Sequence, residues 1–292
     1  MLYASIDIGS NAVRLLFANA FTREGNIYIE KATLVRIPVR LGMDVFKKSR
    51  ITKKRADMLT KTMKAFSLLI DVYKPVKLAA CATAAMREAS NGMEVIQRIR
   101  EETGIKVKLI DGIEEANIIR SISRFNHLQG KELCLFIDVG GGSTEISLVS
   151  DKKLLDQRSF KIGTIRLLEN KVSGKEWDRM KQWLDGFRKD FDRLGAIGSG
   201  GNINKITKIY GNPELKLLTV DSLEKAYNTL NRYTVEERME KLGLRYDRAD
   251  VIVPAGRVFL FILRYIGAES ITVPKIGLAD GLIFRMYEKH LD

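Results

Sequence analysis

Two segments decide how this chain is read: Ser5-Ile6-Asp7-Ile8-Gly9-Ser10-Asn11 near the start and Phe136-Ile137-Asp138-Val139-Gly140-Gly141-Gly142-Ser143-Thr144-Glu145 near the middle. Each places an aspartate at the end of an apolar run, follows it with small residues and returns to another apolar run, Ala12 to Ala18 in one case and Ile146 to Val149 in the other. That pattern predicts strand, tight turn, strand. Glycine in such a turn lets backbone N–H groups approach an anion without a Cβ in the way, and the hydroxyls of Ser10, Ser143 and Thr144 add donors. The aspartates then face whatever the turn holds, most simply through a metal ion or its water. Neither segment is a Walker P-loop: the GxxxxGK[ST] spacing is absent and a strand is expected to follow. A single turn of this kind would read as an ordinary hairpin, but two Asp-headed copies point to a duplicated phosphate-binding device.

Composition narrows the class. The chain has 292 residues, 45% hydrophobic and 29% charged, which suits a globular protein of two domains. No apolar stretch approaches the ~20 residues of a membrane span, and the chain runs from Met1 straight into the first strand, so a cytoplasmic location is expected. Cys81 and Cys134 are the only cysteines and His127 and His290 the only histidines, which leaves no disulfide framework or zinc cluster. A net charge of +13, concentrated in Phe46-Lys47-Lys48-Ser49-Arg50-Ile51-Thr52-Lys53-Lys54-Arg55 and around Lys205, Lys208 and Lys216, points to a polyanionic partner.

Along the chain, strands are predicted at 2–8, 12–19, 26–35, 76–82, 107–110, 133–138, 195–197 and 270–273. Helices are predicted at about 52–73, 93–102, 114–125, 177–194, 222–232, 249–266 and 282–290. Strands first, then strands alternating with helices, is the signature of an α/β fold. The domain boundary is placed near 123–131, giving domains 1–125 and 126–292, with a final helix from about 277 to 292 free to pack back on the first domain. Pro254 and Gly256 are expected to distort the apolar helix.

If the segment after Gly112 is helical, residues 115, 118, 119, 122 and 125 share one stripe: Glu115, Ile118, Ile119, Ile122 and Phe125. Glu115 heads the apolar face, whereas Glu114 shares the side of Asn117 and Ser121. A carboxylate at the head of a buried stripe is placed to act as a general base, though charge complementarity at a helix start reads equally well from these residues alone. Arg87 follows the strand ending at residue 82, and a guanidinium fork suits phosphate oxygens.

These segments resemble the phosphate-binding turns of the actin, hexokinase and heat-shock chaperone ATPase superfamily. Within it the chain is similar to the exopolyphosphatases and guanosine pentaphosphatases. The narrower likeness rests on Asp7 to Asn11, Thr83 to Ala89, Gly112 to Ala116, Asp138 to Glu145, Gly198-Ser199-Gly200-Gly201-Asn202 and Gly277 to Leu282. The resemblance implies two related ribonuclease H-like domains, each a mixed sheet with flanking helices, with the active site in the cleft between them, in a short form without an HD domain. It implies Glu115 as the residue that activates water, with Asp138 and Glu145 also catalytic. It implies phosphate binding by Asp7, Gly9, Ser10, Asn11, Arg87, Gly140, Gly141, Gly142, Ser143, Thr144, Gly200 and Gly201. A Mg2+ or Mn2+ ion is expected on Asp7, Asp138 and Glu145, directly or through water. The expected substrate is polyphosphate or a hyperphosphorylated guanine nucleotide; no membrane or nucleic-acid partner is expected, and a homodimer suits the size. An ATP-using phosphotransferase and a non-catalytic sensor are the alternatives. Two departures stand out: Met43 occupies the place of a glutamate in the family's Gly-Glu-Gly type loop at 40–45, and Ile203, Asn204 and Lys205 replace the usual threonine-rich continuation after Gly201.

Overall fold

The computed structural model describes residues 1–122, 133–150 and 153–291, and these form two compact units. Unit 1 comprises residues 1–122 with 277–292, and unit 2 comprises 123–276. The 125/126 boundary, Phe125 and His127 lie outside the described residues.

In unit 1, strands β1 (Leu2–Ile8), β2 (Val13–Arg23) and β3 (Asn26–Ile37) form an antiparallel meander. Helices α1 (Leu41–Lys48) and α2 (Lys53–Tyr73) follow, then β4 (Lys77–Ala82), α3 (Ala84–Glu88), α4 (Gly92–Thr103), β5 (Val107–Leu109) and α5 (Gly112–Ile122). The sheet runs β3-β2-β1-β4-β5, with β1, β4 and β5 parallel. β1 is buried along nearly its whole length, as a central strand covered on both faces must be, whereas the edge strand β3 alternates between half-buried and exposed positions. Thr52 caps α2, its hydroxyl accepting the Arg55 amide at 3.4 Å, and Leu59, Met63 and Phe66 bury the stripe that the spacing predicts.

Unit 2 repeats the plan. Strands β6 (Leu133–Val139), β7 (Thr144–Ser150) and β8 (Lys153–Phe160) form the meander, followed by α6 (Thr164–Leu168), α7 (Gly174–Asp185), a 3-10 turn over 188–193 and β9 (Leu194–Ser199). Then come α8 (Gly201–Tyr210), β10 (Leu217–Thr219), α9 (Val220–Arg232), α10 (Val235–Leu242), α11 (Tyr246–Ala249), α12 (Ile252–Tyr265) and β11 (Ser270–Thr272). The sheet order β10-β11-β9-β6-β7-β8 matches that of unit 1 with one extra edge strand. Two related mixed sheets with flanking helices are thus what the chain builds.

Several elements differ from expectation. Residues 41–48 are helical, not a loop. The helix expected over 177–194 stops at Asp185, and a separate 3-10 turn fills 188–193. Pro254 falls in the first turn of α12, where its missing N–H costs no hydrogen bond, so the proline needs no kink. No described helix is long and apolar enough to cross a membrane.

The last helix, α13 (Leu278–Leu291), belongs to unit 1. Ala279, Ile283 and Tyr287 pack on Tyr3, Leu16, Ala18 and Ala20, and the Ser5 hydroxyl donates to the Ala279 carbonyl at 2.8 Å. Gly281 permits a close crossing with α5: a Cβ there would lie 2.3 Å from the Ile118 carbonyl oxygen. Alanine normally improves a helix interior by up to ~1 kcal/mol. At Gly281 the backbone of α5 leaves no space, so Gly281→Ala should instead destabilise the protein by about 1–3 kcal/mol. Urea denaturation followed by circular dichroism measures the difference, and a stabilised variant would refute the packing argument.

Candidate active site

Both aspartate-headed turns sit at the carboxyl end of a central strand, the edge where open α/β sheets bind ligands. In unit 1 the carboxyl ends of three parallel strands supply the candidates side by side: Asp7 to Asn11 after β1, Thr83 to Arg87 after β4, and Asp111 to Glu115 after β5. The register places Asp7 beside Cys81 and Cys81 beside Lys108, on one face. Burial pushes the Cys81 thiol well above its ordinary pKa, and the negative charges of Asp7, Glu115 and Glu114 push it further. The thiol is therefore kept protonated, and Asp7 and Glu115 act on the same buried point.

The two acids after Gly112 have different surroundings. The Asp111 side chain caps α5 by accepting the Glu114 amide at 2.7 Å, and the Glu115 amide donates to the Asp111 carbonyl at 3.0 Å. The Glu114 carboxylate pairs with Lys108 at 2.5 Å. Arg87, on the short helix α3 rather than in a loop, donates from Nη1 to the Ile110 carbonyl at 2.8 Å, which ties α3 to the segment leading into the helix that carries Glu115. Asp7 is buried, and it accepts from Arg14 at 2.5 Å. Sequence reasoning passed over Arg14. Its signal was the hairpin itself, because a turn that pairs residue 8 with 13 must pair residue 7 with 14.

The same arithmetic in unit 2 pairs Asp138 with Glu145. Directly opposed residues of antiparallel strands point to one face, about 4.5–5.5 Å apart at Cβ, so two buried carboxylates stand side by side. Ser199 donates its hydroxyl to Asp138, and Ser159 donates to Glu145 at 2.8 Å. Gly200, at φ +109°, turns the chain after β9 into α8, and a Cβ there would stand 3.5 Å from Asp138 Oδ1. Gly201 opens that helix. Among the described residues no group of three or more His, Cys, Asp or Glu is gathered around one point.

The backbone of the two turns is tied in the same way. Gly9 donates to the Ala12 carbonyl at 3.1 Å, and Gly140 donates to the Ser143 carbonyl at 2.9 Å. The segment entering α1 then takes the next carbonyls of the first turn: Gly42 donates to Ser10 at 2.8 Å and Arg40 to Asn11 at 2.9 Å. The segment entering α6 does the same for the second. Thr164 donates to Gly140 at 3.0 Å, Ile165 to Gly141 at 2.9 Å, and the buried Arg166 from Nε to Gly142 at 2.6 Å. The carbonyls of Gly140 through Ser143 are thereby all used, while the amides of Gly141, Gly142 and Ser143 donate to no described protein group. Three consecutive amides with no described protein acceptor, their carbonyls tied back, are available to an anion as in a nest.

One expected phosphate ligand is placed otherwise. The Thr144 hydroxyl is fully buried and donates to the Ile162 carbonyl at 2.5 Å, so it holds the turn rather than facing a ligand. Ser10 accepts the Ala85 amide at 3.2 Å, which leaves its own proton to give. Met43 lies on the helix over 41–48. Its sulfur is met by Arg40 Nη2 at 3.5 Å, and the holding of the first turn relies on the backbones of residues 40 and 42 rather than on the side chain at 43.

Comparison with known proteins bears on this arrangement. Residues 30–290 match the family model described as the Ppx/GppA phosphatase family. The sequence is 29% identical over 312 residues to exopolyphosphatase 1 of Mycobacterium leprae, covering 98% of this chain and 90% of that protein. It is also 29% identical over 311 residues to the bifunctional 3-dehydroquinate synthase/phosphatase of Fusobacterium nucleatum, covering 98% of this chain and 47% of that relative, so it spans about half of that protein. Among solved structures, the Ppx/GppA family member of Aquifex aeolicus aligns with a TM-score of 0.76 at 26% identity, covering 100% of this chain and 99% of the other.

Proposed function

Since the chain belongs to the Ppx/GppA phosphatase family, we propose that it hydrolyses the terminal phosphoanhydride of inorganic polyphosphate or of a hyperphosphorylated guanine nucleotide. The observation that carries this reading is the nest at Gly141, Gly142 and Ser143, whose open amides suit phosphate oxygens. Glu115 takes a proton from water as the oxygen attacks the terminal phosphorus. The anhydride P–O bond breaks, and the products are orthophosphate and a chain one phosphate shorter. The turn at Gly9 to Ala12, with the Ser10 hydroxyl and the Arg87 fork, would bind further phosphate oxygens. Asp138 and Glu145 supply two hard oxygen donors on one face, the usual share that a protein gives to Mg2+, whose remaining ligands are water and substrate phosphates. Bound there, Mg2+ or Mn2+ would neutralise charge on the transferring group. Orthophosphate release from polyphosphate, guanosine pentaphosphate and ATP, measured in parallel with and without Mg2+ and without a second acceptor, tests the reading. Release dependent on an added acceptor, or no release from any of the three, would overturn it.

The basic excess fits a long polyanion. Lys47, Lys48, Arg50, Lys53 and Lys54 are exposed where α1 hands over to α2, whereas Arg55 is drawn inward by Asp44 at 2.9 Å and the Val39 carbonyl. Neutralising Lys47, Lys48, Lys53 and Lys54 together should weaken binding of long polyphosphate and flatten its salt dependence, each lost phosphate contact reducing the log–log slope by ~0.7–0.9. Hydrolysis of a nucleotide-sized substrate should be nearly unchanged. A salt series on both substrates measures this, and equal losses on the two would mean that the variant has damaged the fold.

A further inference from the structure

In unit 2, helices α7, α9 and α12 line an open cleft of about 640 Å3 to which no glycine-turn residue contributes. That size is ordinary for a small-molecule site. Its walls follow from helical spacing. Trp177 and Lys181 stand one turn apart on α7, and Arg257, Phe261, Arg264 and Tyr265 line one side of α12, with Tyr227 and Glu224 facing from α9.

The aromatic wall is organised. Trp177 meets Phe261 edge-on at 4.6 Å between ring centroids, and Phe261 stacks with Tyr265 at 6.1 Å with planes 16° apart. These rings are half-buried rather than sealed into the core. Cations stand over them: the Arg257 guanidinium 5.6 Å from the Trp177 centroid and the Lys181 ammonium 5.9 Å from that of Phe261. Three cations thus line the cleft against a single carboxylate, Glu224, which is taken by Arg264. Among the described residues, the ion-pair contact of Lys181 is a long one with Asp178, at 3.8 Å. Arg257 is exposed and makes no ion pair among the described residues.

We propose that this cleft is a second ligand site, for a nucleoside diphosphate or triphosphate. A flat base gains from stacking on the Trp177–Phe261 wall, and the phosphates gain from Arg257 and Lys181. A bare phosphate chain would use the cations and waste the rings, and an apolar ligand would have to desolvate the cations. A ligand that is both aromatic and anionic uses both.

The chain has two tryptophans, and Trp183 is buried with its Nε1 donating to Asp156 at 2.8 Å. Trp177 is therefore the fluorophore within a ligand's reach. Titration of the full chain with GDP should quench fluorescence saturably, and pyrophosphate, which lacks the ring, should not. Equilibrium dialysis with labelled GDP should show affinity reduced about tenfold by Arg257→Ala, equivalent to ~1.4 kcal/mol, and by a similar factor in Trp177→Leu. Both variants should release phosphate from polyphosphate at the parental rate in the absence of nucleotide. Binding is read without turnover, so its failure is separable from failure of the hydrolytic reading. Any one of three results would overturn the proposal: no saturable GDP binding, equal quenching of the fluorescence by pyrophosphate, or GDP affinity indifferent to Arg257→Ala, which would place the nucleotide elsewhere. A signal that instead tracks protein concentration at fixed GDP would identify the cleft as a contact between copies of the chain.

Discussion

Glu115→Gln should lower phosphate release by about 10²–10⁴-fold while leaving substrate affinity within a few-fold, because the amide keeps the shape of the side chain and cannot take the proton from water. The companion variant Glu114→Gln should stay within a few-fold of the parent. These expectations separate two adjacent acids that are both half-buried and both near the start of α5. Their directions on the helix distinguish them. Glu114 is held by Lys108 on the outer side, whereas the helix stripe turns Glu115 toward the side of Ile118 and Ile119. Steady-state turnover with parallel binding measurements provides the comparison. Near-normal turnover in Glu115→Gln, or equal losses in the two variants, would remove Glu115 from the role of base.

The parts legible in the sequence were those written locally. An aspartate before small residues between two apolar runs predicts a hairpin, and both turns are hairpins with the aspartate at the penultimate position of a buried strand. Long amphipathic helices were equally plain, as α2 shows. What escaped was either short or non-local. Helix α1 offers only Leu41, Val45 and Phe46 as buried apolar positions, too few to mark a period, and its Gly42 resembles loop punctuation. The run 177–194 kept a helical pattern through Gly186, where the chain instead tightens into a 3-10 turn. The cross-strand partners Arg14 and Glu145 follow from register, which requires the turn length to be fixed first. The ties from residues 40–42 and 164–166 to the turn carbonyls leave no trace in composition, because a backbone amide has no residue identity.

Once the backbone holds each turn, the position opposite the aspartate is free to differ, and it does: an arginine faces Asp7 and a glutamate faces Asp138. One copy of the device is internally neutralised and the other is an acidic pair. Duplication thus supplies two similarly tied turns whose side chains opposite the aspartate carry opposite charge.

The holding segment can be tested directly at Gly163, the residue that leads into α6. A Cβ added there would lie 2.4 Å from the Gly141 carbonyl oxygen and 2.4 Å from the Gly142 carbonyl carbon, both of them backbone. No side-chain rotation relieves such a contact, so Gly163→Ala must move either the turn or the segment carrying Thr164, Ile165 and Arg166. Either shift breaks the bonds that tie the carbonyls back and misaligns the three open amides. Displacing two or three anion donors at once should lower phosphate release by on the order of 10²–10³-fold, since loss of a single preorganised donor already costs that range in well-studied hydrolases. Affinity for phosphate chains should fall with it, because the nest binds ground state as well as transition state. Gly174→Ala, at the first residue of α7 where an added Cβ meets nothing within 4 Å, is the matched control and should keep parental activity. Full turnover in Gly163→Ala with native far-ultraviolet circular dichroism would show that the tie between α6 and the glycine turn does not position the amides for phosphate.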